Sequence, residues 1–237
     1  MTGFIRTAKK RCLIGLLAGL TTTSLVWADA NPRDPYEGFN RNMFAVHESI
    51  DKAVAKPLAK GYDAAVPLPA KASVGNFFGN VGDLWNGANN ALQGKGSDAG
   101  SDLARLLINS TLGIFGLFDV ASEMGFEKHE EDLGQTLAVW GVRDGGYVFL
   151  PILGPRTLRD TAGWIVDTHA DPVGHVYPIT ARNSLRGLRI VDLRAGLLPA
   201  DKVVEEAALD KYAYIRDAYL QRRRNQIFDG MPPRIDE

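Results

Sequence analysis

The chain has 237 residues, with 27 Lys and Arg against 28 Asp and Glu, 25 glycines and a single cysteine, Cys12. A net charge of −1 offers no basic footprint for nucleic acid, and one cysteine excludes an internal disulfide. The length suits one domain with a sizeable core, and neither a low-complexity block nor a repeat of solenoid length interrupts it.

Arg6, Lys9, Lys10 and Arg11 make a cationic start, and Cys12 to Ala28 then runs 17 residues without a charge. This predicts a signal peptide over residues 1–28, cut after Ala28 or Ala30. A membrane-spanning helix needs about 20 apolar residues, and Thr21, Thr22 and Thr23 dilute this stretch. A retained N-terminal anchor is the competing reading. Removing residues 1–28 takes away four positive charges and leaves 23 against 28 acids, a net charge of about −5. The expected domain is 29–230, followed by a tail over 231–237.

From there the periodicity is helical. Val46, Ile50 and Val54 fall four apart until Pro57, which suits the first turn of a following segment. Val74, Phe77, Phe78, Val81, Leu84, Trp85, Ala88 and Leu92 form one apolar stripe over five turns. Gly75, Gly79 and Gly82 lie in the same stretch, each costing about 1 kcal/mol of helix stability against alanine. They serve either tight helix packing or the close approach of a lipid chain. Leu103, Leu106 and Leu107 follow possible caps at Ser97 and Asp98. Further sets are Leu158, Ala162, Ile165 and Val166; Leu185, Leu188, Ala195 and Leu198; and Val204, Ala208, Tyr212, Ile215 and Tyr219. Residues 145–153 have extended character, and Pro151 argues against a central strand there. The expected class is all-α, in a single domain.

Leu112 to Phe118 is seven residues without a charge, too short to cross a bilayer. Ordinary core, a dip into one leaflet and the lining of an apolar passage all account for it. The polar run Glu127 to Asp132 reads as a solvated helix start.

Motifs for chemistry are missing. No serine sits in a nucleophile elbow, and Gly94 to Gly100 spaces its last glycine one residue too far for a dinucleotide loop and follows a helix. No phosphate loop occurs. The histidines at 47, 129, 169 and 175 lack the helical pairing of a zincin, and Asp167, His169 and Asp171 read as a turn before Pro172 rather than a metal set. The chain is expected to be no enzyme and to use no cofactor or metal.

Asp34-Pro35-Tyr36-Glu37-Gly38-Phe39-Asn40-Arg41-Asn42-Met43-Phe44 resembles the opening signature of the MlaA/VacJ family, an outer-membrane component of bacterial phospholipid trafficking. The resemblance continues through Asn76 to Asn80, Arg105 to Gly113 and Gly116 to Ala121. It is strongest at Asp132 to Leu137, followed by Trp140 to Val142, Leu150-Pro151, Gly154 to Asp160 and Asp210 to Gln221. Each patch alone is weak; their order over residues 34–230 is specific. One departure concerns the anchor. The family is mostly lipid-anchored through a cysteine just after the apolar stretch, whereas Cys12 precedes it.

The resemblance implies a ring of amphipathic helices in the inner leaflet of the outer membrane, around a central amphipathic channel. It implies a protein that removes misplaced outer-leaflet phospholipid and passes it to a soluble periplasmic carrier, in association with a trimeric porin. Leu112 to Trp140 would match the family's gate hairpin, with Ile114, Phe115, Leu117 and Phe118 on the apolar side of the passage and Gly141 as hinge. Arg143 stands where some members carry a second glycine. The alternative is an envelope adaptor that binds a porin and carries no lipid.

Overall fold

Pro57 sits inside a continuous helical segment, where its ring clashes with the carbonyl four residues back and it offers no N–H. The chain answers with a wider turn. In the computed structural model, which describes residues 31–234, helix α1 (Glu37–Ile50) passes through a π-helical turn (Asp51–Ala55) into α2 (Lys56–Ala65). Steps of four residues drift by about 40° each on an α-helix, and the wider turn takes up that drift. Val46, Ile50, Val54 and Leu58 therefore stay on one side, and all four are exposed.

The chain divides into two units, residues 1–32 and 33–237, and the described helices belong to the second. The expected signal peptide, its cut after Ala28 or Ala30, and Cys12 lie outside the described residues, as do residues 235–237 of the expected tail. After α2 come α3 (Leu68–Leu92), α4 (Gly96–Thr111), the short α5 (Val120–Glu123) and α6 (Leu133–Val139). A hairpin of β1 (Tyr147–Leu150) and β2 (Gly154–Thr157) leads to α7 (Leu158–Ala170) and a 3-10 turn (Pro172–His175). The last helices are α8 (Ile179–Gly196), α9 (Leu198–Ala207) and α10 (Lys211–Ile227). The architecture is mostly helical, as expected, with the hairpin as its departure from all-α. Its two strands pair only with each other, Tyr147 opposite Thr157 and Leu150 opposite Gly154. Pro151 and Pro155 therefore remove no ladder bond from a central strand.

The aromatic core sits under this hairpin. Tyr147, Phe149 and Tyr212 are buried together, with Met43, Phe44, Ile215, Tyr219 and Leu220 packed around them. Phe44 meets Phe149 edge-on at 5.3 Å between centroids. Asn40 fastens α1 to β1: its amide donates to the Tyr147 carbonyl at 3.0 Å and its oxygen accepts from the Phe149 N–H at 2.8 Å. Asp34 accepts from Asn40, Tyr212 and Arg216, tying in α10.

Elsewhere the interior is polar. Asn80, Asp83, Gly87 and Asn90 line the buried face of α3, opposite Ala99, Asp102, Arg105 and Asn109 of α4. Asn90 donates to Asp102 at 2.9 Å, Asn80 to Ser110 at 3.0 Å, and the Arg105 Nε lies 3.4 Å from Asp83. Of the apolar stripe read from the α3 sequence, Phe78 alone is buried, while Leu84 and Leu92 are exposed. The helical period was legible; the face turned inward is the polar one. Across the described residues, eighteen polar or charged residues are buried against nine apolar ones, and thirty-six large apolar side chains are exposed. Scattered exposed leucines are ordinary, but a buried polar residue needs a cause. Here the buried polar groups of α3 and α4 answer one another across the helix pair. No helix among the described residues is long and apolar enough to cross a membrane.

Candidate lipid-handling site

A cavity of about 480 Å³ opens along α3, closed by segment 128–135, α8 and α10. Gly75, Gly79 and Gly82 form its α3 wall. A Cβ added to Gly75 or Gly82 would meet nothing within 4 Å, and one on Gly79 would meet the Lys128 ammonium at 3.3 Å. Gly75 and Gly82 thus border open space, while Gly79 seats the Lys128 side chain. Gly87, by contrast, does pack tightly, its added Cβ lying 3.3 Å from the Ala99 carbonyl. Apolar lining comes from Phe78 and Leu193, and charged lining from Lys128, Glu130, Glu131, Asp132, Arg189, Asp192 and Arg222. The polar run 127–132 is thus more than a solvated helix start. Glu131 is buried, receiving Lys95 at 3.0 Å and Gln93 at 2.7 Å. Asp132 caps α6 through the Gln135 N–H and pairs with Arg223 at 2.6 Å.

The seven-residue apolar run forms a loop against the same turn of α3. Asn76 donates to the Leu117 carbonyl at 3.2 Å, and Gly116 fits against Asn80, whose Cβ lies only 2.7 Å from where a Gly116 Cβ would stand. Gly113 and Gly116 point inward while Ile114, Phe115, Leu117 and Phe118 are 56%, 78%, 39% and 55% exposed. Ordinary core is therefore ruled out for these four. Ile114 and Phe115 sit at φ of 51° and 56°, a region that costs L-residues about 1–3 kcal/mol each.

A polar brace holds that strain. The Phe115 N–H donates to the Ser110 carbonyl at 3.1 Å and the Gly116 N–H to the Asn109 carbonyl at 2.8 Å. Asp119 closes the loop, both its carboxylate oxygens accepting from one terminal nitrogen of Arg105 at 3.0 Å, with further bonds from Asn109 and Ser122. Burial pushes the Asp119 carboxyl up, but bonds from Ser122, Asn109 and Arg105 outweigh it and hold its pKa down at about 2. Asp102, one turn before Arg105 on α4, goes the other way: burial raises it against opposing bonds from His129 and Asn90.

The four apolar residues thus come together, although none of them lines the cavity. Gly141 lies elsewhere. It terminates α6 at φ 89°, its N–H donating to the Ala138 carbonyl and that of Val142 to Leu137, a Schellman cap. Trp140 beside it donates to the Leu92 carbonyl at 3.1 Å. Leu92 is sixteen residues beyond Asn76 on α3, so the cap and the apolar loop sit about 24 Å apart along that helix. Asp167 is engaged by the Trp85 indole and the Leu133 N–H, and Asp171 by Arg189. Sequence reasoning missed Arg189, Asp192 and Arg222, whose charges carry no motif. Their helical spacing was the available signal.

The family model described as MlaA lipoprotein matches residues 32–226. The chain belongs to the MlaA family. A relative in Escherichia coli (strain K12), the intermembrane phospholipid transport system lipoprotein MlaA, is 32% identical over 195 residues, covering 80% of this chain and 76% of that one. The Haemophilus influenzae protein of the same description is 30% identical, covering 83% and 80%. An uncharacterized protein of Rickettsia bellii is 35% identical over 82% of this chain and 76% of its own. A solved MlaA-family fold, described under the structural basis for maintenance of bacterial outer membrane lipid asymmetry, aligns at a TM-score of 0.71 with 31% identity. It covers 84% of this chain and 99% of that one.

Proposed function

We propose that this chain is a phospholipid-transfer channel of the outer membrane, removing misplaced outer-leaflet phospholipid and delivering it to a soluble periplasmic carrier. Its helices form a ring in the inner leaflet, docked on a trimeric porin, with the cavity beside α3 as part of the passage. The observation that carries the reading is the inverted distribution of polarity: a charged, glycine-walled cavity inside and apolar side chains outside. Moving two acyl chains through water costs on the order of 20 kcal/mol at about 0.8 per methylene, so a lipid leaving a bilayer needs a continuous path with a polar and an apolar side. No chemical step is required.

Ile114, Phe115, Leu117 and Phe118 supply the apolar side at the entrance, and Gly141 is the hinge at the base of the hairpin. The test replaces Phe115 or Phe118 by aspartate. Outer-leaflet phospholipid is expected to rise in cells carrying the variant; a folded, membrane-associated variant with unchanged lipid asymmetry overturns the channel role. Phospholipid is also expected to co-purify with the protein, whereas a pure porin adaptor would come out empty.

A further inference from the structure

The cavity's charges divide into two groups. Most are saturated by the protein itself. Glu131 is held by Lys95 and Gln93, and Asp132 by both terminal nitrogens of Arg223 at 2.6 Å. Lys128 is spent on Asp83 and the Gly79 carbonyl, and Arg189 on Asp171 at 2.9 Å. Two features remain. Asp192 accepts from the Tyr62 hydroxyl at 2.8 Å, and it has no cationic partner among the described residues. Arg222 meets Glu130 only loosely, at 3.7 Å, with their side chains 72% and 69% exposed. An ion pair that open is weak and free to exchange partners.

The cavity therefore offers one carboxylate wanting a cation and one guanidinium able to take an anion. Its open charges are one cation, Arg222, against two carboxylates, Glu130 and Asp192. A headgroup with net negative charge would meet an excess of like charge there. One bearing both a phosphate and an ammonium would satisfy both open positions. Size agrees: at about 480 Å³ the cavity falls within the range of about 300–1,000 Å³ that takes a small molecule, enough for a headgroup rather than a whole diacyl lipid.

Resting on the transfer role above, we infer that the cavity selects zwitterionic, ammonium-bearing phospholipid over anionic phospholipid, with Asp192 receiving the ammonium and Arg222 the phosphate. Asp192 is the specificity-determining residue. It projects from α8 with its oxygen steadied by Tyr62 of α2, so the carboxylate is presented to the cavity in a fixed position.

The experiment incubates the detergent-solubilised full chain with mixed micelles of equal dioleoyl phosphatidylethanolamine and dioleoyl phosphatidylglycerol, and measures retained lipid by mass spectrometry. The ethanolamine lipid is expected to be enriched about three- to fivefold, the range a partly exposed ion pair supports. Asp192→Asn, which keeps an oxygen to accept from Tyr62, should bring the ratio near one, and Asp192→Glu should restore it. Equal retention by the unaltered protein, an excess of the glycerol lipid, or an undiminished preference in Asp192→Asn overturns the inference while leaving transfer intact. A protein that retains neither lipid overturns the transfer reading as well. Soluble phosphoethanolamine is expected to compete only in large excess. Competition at equimolar concentration would make the ligand a small zwitterion rather than a lipid headgroup.

Discussion

Gly116 sits at φ 83° with Asn80 against its α-carbon, next to Phe115 and Ile114, which already occupy the left-handed region. Alanine there would meet both a forbidden backbone and a filled site. Gly116→Ala is expected to destabilise the protein by about 1–3 kcal/mol, read as a lower thermal midpoint in detergent. Arg105 is 2% exposed between Asp83 and Asp119. Its removal takes the guanidinium from two carboxylates, leaving Asp83 to Lys128 and Asp119 to Asn109 and Ser122, and Arg105→Met should cost about 3 kcal/mol, checked by the same melting curve. Asp119 also sets an acid limit. Its folded pKa near 2 lies below the ordinary 3.8. Its contribution is therefore fully present above pH 3.8 and lost as pH falls toward 2. Asp119→Asn should flatten the loss of stability over that window in an acid titration followed by circular dichroism.

Helix α3 shows what the chain's pattern could and could not reveal. Its period of 3.6 is a property of the backbone, so the helix was readable from spacing alone. Which face turns inward depends on the medium outside, and no spacing encodes that. Leu84 and Leu92 face out because the partner face on α4 offers Asp102, Arg105 and Asn109. The residues that carried the family resemblance prove informative in another way. Asn40, Asn80, Arg105, Asn109, Gln135, Thr136 and Asp160 are all buried polar groups, each engaged by hydrogen bonds or ion pairs that substitution would break. The hairpin was half legible, since its prolines disguised strands that lie at an edge. The cavity was illegible because it joins α3, α8 and α10, far apart in the chain. At this scale Gly82→Leu makes an unusual prediction. The change should raise stability by up to about 1 kcal/mol through helix propensity, because a Cβ there meets nothing within 4 Å. It should also narrow the cavity and reduce lipid transfer between vesicles. A more stable variant with undiminished transfer would dissociate the cavity from the passage.

For the molecule as a whole, the proposed role turns the outward leucines, isoleucines and phenylalanines toward hydrocarbon. At about 25 cal/mol per Å², even a few hundred Å² of such surface favours the membrane by several kcal/mol. Alkaline extraction of membranes should therefore leave the protein in the pellet, whatever the state of its N-terminus. Release into the supernatant would mean that the helices rest on the bilayer without entering it. The inverted packing has a consequence for biogenesis. A chain that buries Asn40, Asp83 and Arg105 while presenting Phe39, Leu107 and Phe115 gains little from collapsing in water and much from sticking to its own kind. In the proposed role, self-association before lipid is reached is therefore the hazard that this packing sets.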